Sequence, residues 1–335
     1  MEQRFLVIQT AFIGDAILAT ALLEELQLNF PGAKLDLLVR KGNQGLFEGH
    51  PYIHTLFVWD KSGNKIASLS RLIRQIRGFK YDRLINLHRF ASSGVISCCA
   101  KAKVKAGFDK NPFSSVYDVK IAHRIGEDQK HEVDRNARLI EDITKIRVKQ
   151  PKLYPLEKHI KNVSGYKTKD YICIAPASVW FTKQFPGRKW IEFLDQIDPG
   201  YKVYLLGALS DFDQCEHIRT SVNGLTIENL AGKLNLLETA ALMKDARMNY
   251  VNDSAPLHLA SAVNAPVTAI FCSTVPAFGF GPLSEQSKVV EVQEPLSCRP
   301  CGLHGYRKCP EKHFMCAENI SVAQLVKQLS PERIE

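Results

Sequence analysis

The chain has 335 residues, 45% of them hydrophobic, more than a single hydrophobic core usually organises, so two domains of roughly 150 residues each are expected. The net charge of +9 calls for an anionic partner such as nucleic acid, phosphorylated lipid or nucleotide, without choosing among them. No run approaches the roughly 20 apolar residues that span a bilayer, and the nine cysteines, mostly single in strand-like surroundings, fit a reducing compartment better than a disulfide framework.

The first apolar run, Arg4-Phe5-Leu6-Val7-Ile8-Gln9, has strand length and starts so near Met1 that no signal peptide fits before it. A cytoplasmic protein is therefore expected. The loop Thr10-Ala11-Phe12-Ile13-Gly14-Asp15 leads into a helix predicted over 16–29, with Ile17, Leu18, Ala21, Leu22 and Leu26 on its apolar stripe and Pro31-Gly32 closing it. A strand over 34–39 completes a right-handed β-loop-α-β unit with parallel strands. The alternation continues through a strand over 55–58, a helix over 69–76 and a strand over 83–87. Residues 145–170, with Pro151, Pro155 and lysines 152, 158, 161, 167 and 169, lack periodicity and read as the linker.

The same alternation then resumes, with strands over 171–175, 202–206, 247–251 and 267–271 and helices over 190–197, 211–221, 236–245, 257–263 and 321–329. Two similar α/β halves result, residues 1–160 and 161–335. The expected architecture is a pair of doubly wound, Rossmann-like domains facing across a cleft that holds the ligand.

Within the second half, Asn252-Asp253-Ser254-Ala255-Pro256-Leu257-His258-Leu259-Ala260 ends a strand and opens a helix. Unpaired N–H groups and the positive end of the helix dipole meet there, which suits a phosphate and equally an ordinary N-cap. Cys298-x2-Cys301-x7-Cys309-x6-Cys316, with His304 and His313 between, contains one metal-type pair, but the second half lacks zinc-site spacing. Reduced, packed thiols are expected, with structural zinc as the alternative. Arg71, Arg74, Arg77 and Lys80 fall near helical spacing, and Lys101, Lys103 and Lys105 alternate along a strand. They read as a solvated face or a docking surface for an anionic membrane.

Gly14-Asp15 opening a helix after the first strand, the stretch from Asn252 to Ala260 and Phe271-Cys272-Ser273-Thr274-Val275-Pro276 together resemble glycosyltransferase family nine, the lipopolysaccharide heptosyltransferases. The match runs in order along nearly the whole chain, and the cysteine tail is similar to that of heptosyltransferase II-like members. The resemblance implies the GT-B fold, a nucleotide-sugar donor and an acceptor in the inner core of lipopolysaccharide. It makes Asp15 the general base that takes the acceptor hydroxyl proton, with Thr10 and Gly14 on the acceptor side; a plain helix cap is the other reading.

For the donor, the resemblance implies that Lys183, in Phe181-Thr182-Lys183-Gln184-Phe185-Pro186, and the helix start Ser254-Ala255-Pro256-Leu257 stabilise the leaving diphosphate. No Asp-x-Asp pair suited to holding Mg²⁺ stands out, so no metal and no cofactor are expected. His258 either donates to a phosphate oxygen or packs beside Leu257 and Leu259. Ser178 is placed at the phosphates, Asp211 at the ribose hydroxyls or as a cap, Asp253 at the sugar hydroxyls, and Leu234 in the turn that holds the base. Ala255 stands where family members commonly carry glycine.

The function implied is an inverting, metal-independent transfer of a heptose from ADP-L-glycero-D-manno-heptose to the Kdo or heptose of the inner core. The first half would bind the phosphorylated lipid A-Kdo type acceptor and the second the donor, with the last helix crossing back to the first domain. The enzyme would work at the cytoplasmic face of the inner membrane as a peripheral protein. Another nucleotide sugar, or a nucleotide-sugar-binding protein without transfer, stays open. Nucleic acid is not expected, since neither a recognised motif nor an aromatic platform accompanies the charge.

Overall fold

The computed structural model describes residues 3–127 and 130–329. The chain divides into two units, Met1–Tyr154 and Pro155–Glu335. In the first, β1 (Arg4–Gln9), α1 (Ile13–Leu18), α2 (Thr20–Asn29), β2 (Lys34–Arg40), β3 (Ile53–Trp59), α3 (Lys65–Arg77), β4 (Tyr81–Asn86), α4 (Ala91–Cys99), β5 (Ala102–Phe108), β6 (Val119–Ile121) and α5 (Glu132–Ala137) follow in order. Every strand pair is parallel and the sheet runs β3-β2-β1-β4-β5-β6. The central strands are buried from Phe5 to Ile8 and from Leu35 to Val39, because a parallel sheet covered on both faces needs continuous apolar runs. Strand order reverses between β1 and β4, and ligands of open α/β sheets sit beyond the carboxyl ends at such a reversal.

Two expectations for this unit need correction. The helix predicted over 16–29 begins at Ile13 and breaks at Ala19 into α1 and α2, with the Thr20 hydroxyl donating to the Ile17 carbonyl at 2.6 Å. Asp15 therefore sits inside the first turn of α1. Nor is 145–154 a linker. The buried carboxylate of Glu25 on α2 accepts from Thr144 Oγ1, Arg147 Nη1 and the Val148 amide at 2.8, 3.0 and 3.1 Å, and Thr20 Oγ1 and Glu24 accept from the Lys152 amide and Tyr154 hydroxyl. Side chains of α2 satisfy this irregular backbone, which hydrophobic periodicity cannot register.

The second unit comprises α6 (Glu157–Val163), β7 (Tyr171–Ala175), α7 (Gly187–Leu194), β8 (Lys202–Leu205), α8 (Phe212–Ser221), β9 (Thr226–Asn229), α9 (Leu236–Lys244), β10 (Met248–Asn252), α10 (Ala255–Ala262), β11 (Val267–Phe271), β12 (Ser287–Glu291), α11 (Met315–Glu318) and α12 (Val322–Leu329). Its parallel sheet reads β9-β8-β7-β10-β11-β12. This is the same winding as the first, with the reversal between β7 and β10. Helix α6 lies within the stretch expected to be linker. Trp190 and Phe193 of α7 are fully buried against Phe185 and Tyr250, ring centroids 4.6–6.3 Å apart. Helix α12 packs on α7 and β12 in this unit, and Tyr250 donates to the Leu325 carbonyl at 3.0 Å. No helix among the described residues is long and apolar enough to cross a membrane.

Candidate functional site

At the strand reversal of the second unit, β7 ends in Ala175 and continues through Pro176 to Ser178, while β10 ends in Asn252. The Asn252 side chain locks the two ends: its Nδ2 donates to the Pro176 carbonyl at 2.7 Å and its Oδ1 accepts from the Phe185 amide at 3.0 Å. That second bond anchors the short 3₁₀ turn Phe181–Lys183, which delivers Lys183 to the end of β10. Lys183 Nζ lies 2.6 Å from Asp253 Oδ2, and Thr274 Oγ1 donates to the same oxygen at 2.6 Å. Asp253 is 6% exposed, so its charge requires both partners. The sequence reading gave Lys183 and Asp253 separate tasks; the structure brings them together.

Helix α10 begins beside this pair. Ser254 is its N-cap residue, but its hydroxyl points back to the Asn252 carbonyl at 3.4 Å and does not cap the helix. Pro256 in the first turn supplies no N–H. Leu257 and His258 are buried, the histidine ring 6.5 Å from that of Phe280, so His258 belongs to the packed side of α10. Ser178 is half-buried just past β7, its carbonyl accepting from Gln184 Nε2 at 2.7 Å. The Asp211 carboxylate accepts from the Ala208 amide at 2.8 Å, bonding back to the residue before the 3₁₀ turn Leu209–Asp211, and although Asp211 is the N-cap residue of α8 its side chain does not cap that helix. Asp211-Phe212-Asp213 has Asp-x-Asp spacing, and that backbone bond engages its first carboxylate. Leu234 is half-buried in the turn before α9, which is capped by a reciprocal Asn235–Glu238 box.

The first unit places a different chemistry at its reversal. Thr10, immediately after β1, shares a 2.9 Å hydrogen bond with His88 Nδ1 beyond β4. Burial, then the charges of Lys61 and Arg89, lower the His88 pKa to about 4, so the ring is neutral at physiological pH. Lys61 Nζ donates to the Thr10 carbonyl at 3.2 Å and lies 4.4 Å above the Trp59 ring. Arg40 lies over Phe12 at 5.2 Å. Gly14 and Asp15 occupy the first turn of α1, and no side chain of the N-cap residue Phe12 bonds that turn. Part of the Asp15 surface stays open to solvent, yet the protein around it desolvates the carboxylate. Desolvation first and the nearby charge of Glu132 second raise its pKa to about 6, while the amides of Asp15 and Phe12 and the charge of Arg89 pull the other way. Glu132 itself is buried and ionised, bonded to His123 Nε2 at 3.2 Å and Arg135 Nε at 2.8 Å. A carboxylate whose pKa lies near 6 can accept a proton from a hydroxyl held there.

A family model described as glycosyltransferase family 9 (heptosyltransferase) matches residues 69–307. The chain belongs to that family. It is similar to lipopolysaccharide heptosyltransferase 3 of Escherichia coli, 27% identical over 78% of this chain and 82% of that protein. Among solved structures, the family 9 glycosyltransferase of Veillonella parvula aligns with a TM-score of 0.82 at 22% identity, over 97% of this chain and 95% of the other. E. coli ADP-heptose lps heptosyltransferase II aligns at 0.80 and 21%, over 98% and 97%. The two parallel sheets are thus those of the GT-B fold, and this family 9 member is a glycosyltransferase.

Sequence reasoning missed several residues that build these candidate sites. Thr274 and Arg299 support Asp253, the arginine by donating to the Thr274 carbonyl at 2.8 Å. Lys61, His88, Arg89 and Glu132 surround the end of β1 without any local motif. For Thr274 a signal existed, since it follows a predicted strand; for the others only the topology brings distant segments together. The cysteines of the tail are all free thiols. Cys298, Cys301 and Cys309 lie near enough to act electrostatically on Cys316, whose pKa burial drives up to about 12. Among the described residues, no three His, Cys, Asp or Glu side chains form a metal-holding group.

Proposed function

We propose that this family 9 glycosyltransferase is an inverting, metal-independent enzyme that moves a heptose from ADP-L-glycero-D-manno-heptose to the Kdo or heptose of the lipopolysaccharide inner core. The observation that carries the reading is the Lys183–Asp253 pair at the strand reversal of the second unit. An ammonium already held at 2.6 Å from a carboxylate can exchange that partner for a diphosphate oxygen as the leaving group gains charge, while Asp253 turns to a sugar hydroxyl. Ser178, Ala255 and the amides at the start of α10 would complete the phosphate contacts, with Asp211 and Leu234 on the nucleoside side. Asp15 serves as the general base in the acceptor-binding unit, beside Thr10 and Gly14. The heptose and ADP assignments draw on the E. coli relatives, whose names state lipopolysaccharide and ADP-heptose.

The acceptor is a phosphorylated lipid of the lipid A-Kdo type, presented at the cytoplasmic face of the inner membrane. Phe12 and Phe90, the N-cap residues of α1 and α4, and Ile66 in the first turn of α3 are 67%, 64% and 81% exposed, with Arg40 over the Phe12 ring and Arg89 next to Phe90 in the chain. Apolar tips among cations suit a peripheral contact with anionic lipid. Of the basic residues expected to dock, Lys103 and Lys105 are already engaged with Asp82 and the Cys98 carbonyl, whereas Arg71 and Arg74 are exposed.

Thermal unfolding with ADP, UDP, GDP and CDP tests this function, because a ligand of the native state raises the melting temperature. ADP is expected to give the largest rise, unchanged in excess EDTA. A larger rise with UDP would move the assignment to another sugar, and a rise or a transfer rate that EDTA abolishes and Mg²⁺ restores would overturn metal independence.

A further inference from the structure

The segment between Arg299 and Tyr306 has no regular secondary structure, yet it binds two of the three strand-end segments that carry the Lys183–Asp253–Thr274 triad, those of Lys183 and Thr274. Thr182, next to Lys183, is 1% exposed. Its amide donates to the Tyr306 carbonyl at 3.1 Å, and its hydroxyl accepts from the Tyr306 amide at 2.7 Å and from Ser273 Oγ at 3.0 Å. The Cys301 amide donates to the Ser273 carbonyl at 2.8 Å, and Arg299 Nη2 to the carbonyls of Thr274 and Phe271 at 2.8 and 3.2 Å. Gly305 is buried in the middle of this contact at φ +76°. A Cβ there would come within 2.9 Å of Thr182 Oγ1 and 3.2 Å of both Lys183 Cγ and Ser273 Oγ. The glycine is thus required twice, by backbone conformation and by the closeness of the lysine stem.

From these contacts we infer that the Gly305–Tyr306 turn is a positioning element for Lys183. It presses on the first carbons of the lysine and clamps the preceding threonine, leaving the ammonium one arc to sweep, from Asp253 to a bound diphosphate. Without that clamp the four-carbon stem would lose rotamer freedom on binding and deliver its charge less often to the right place. The cysteine-rich tail then has a task in this site: its thiols close the loop onto the core through Cys309 and buried Cys316, and the loop in turn fixes the lysine. Neither Gly305 nor Thr182 touches the donor; both act through Lys183.

The inference rests on the reading of Lys183 as the contact to the donor diphosphate, and the experiment separates the two. Affinity for ADP is measured by calorimetry, with UDP, GDP and CDP in parallel, for the full-length wild type, Lys183→Ala, Gly305→Ala, Gly302→Ala, Thr182→Val and Thr182→Ser. Gly302 is the control, since it too has positive φ, +62°, in the same loop, but a Cβ there meets only the Tyr306 hydroxyl region, at 3.3 Å. Lys183→Ala and Gly305→Ala are each expected to weaken nucleotide binding at least tenfold, and Thr182→Val three- to tenfold. Gly302→Ala and Thr182→Ser, which keeps the hydroxyl, stay within twofold of wild type. If Gly305→Ala is insoluble, the Thr182→Val and Thr182→Ser pair makes the same comparison. Impaired Lys183→Ala beside normal Gly305→Ala and Thr182→Val overturns the positioning role alone. Equal weakening by Gly302→Ala and Gly305→Ala overturns it too, as general loop strain. Wild-type binding by Lys183→Ala overturns the reading of the lysine and the inference with it.

Discussion

The two units wind their six strands in the same order, β3-β2-β1-β4-β5-β6 and β9-β8-β7-β10-β11-β12, yet they end in opposite electrostatic states. At the first reversal, Asp15 keeps a proton affinity raised to about 6, with Arg89 as the cation that acts on it. At the second, cation and anion are already closed on each other, Lys183 on Asp253 at 2.6 Å. The difference teaches that the fold supplies only the place where strand ends splay, and that side chains decide whether the place waits for a proton or for a phosphate. An open, protonatable carboxylate suits a base, and a preformed ion pair suits a charge that must be swapped at the moment of bond breaking.

Breaking the first site is expected to have the largest effect. Asp15→Asn should lower the transfer rate by about 10²–10⁴-fold while ADP affinity stays at the wild-type value, the loss usual for a missing general base. Steady-state transfer assays beside calorimetric titration check this, and wild-type turnover would reduce Asp15 to a first-turn helix residue. Breaking the second site should cost less in rate and more in structure. Lys183→Ala is expected to lower kcat/KM for the donor at least about tenfold, the worth of one charge-assisted contact, with acceptor KM unchanged. It also leaves buried Asp253 without its cation, so the melting temperature should fall, by an amount corresponding to about 3 kcal/mol. Normal donor kinetics with a raised acceptor KM would reverse the assignment of the two units.

The comparison also explains what could be read in the sequence. Central strands were legible because burial on both faces demands unbroken apolar runs such as Phe5-Leu6-Val7-Ile8 and Tyr171-Ile172-Cys173-Ile174-Ala175. Edge strands β6, β9 and β12 were not, since Val119–Ile121, Thr226–Asn229 and Ser287–Glu291 are short or carry the polar side chains that edges need. Asp15, Lys183 and Asp253 were singled out as candidates through resemblance to a family. Their partnerships were not: Thr274, Arg299 and Gly305 lie 91, 116 and 122 residues beyond Lys183 in sequence numbering, and only folding brings them to it. Likewise the charge of Glu132 reaches Asp15 through the packing of α5 on α2, which no local pattern encodes.

A smaller effect sharpens the contrast by its sign. Folding raises the Asp15 pKa above its ordinary value of 3.8 to about 6, so the protonated group favours the native state. That contribution is fully present below about pH 4 and is lost as pH rises through about 6. Asp15→Asn, which cannot ionise, should therefore melt higher than wild type at pH 8 and equally at pH 4. The gain should be on the order of 1–2 kcal/mol, less than the whole shift because the carboxylate is partly exposed. Lower stability of the variant at pH 8 would mean that the ionised carboxylate is stabilised where it sits.

The most direct test of the division of labour between the units is the pH dependence of kcat/KM for transfer, which reports the proton affinity of the free enzyme's base. In the wild type it should rise tenfold per pH unit below about pH 6 and level off above, the limb belonging to Asp15. Residual activity of Asp15→Asn should lack that limb, while Lys183→Ala should keep it at a lower plateau. A limb that persists unchanged in Asp15→Asn, or a wild-type profile flat from pH 5 to 8, would contradict the account.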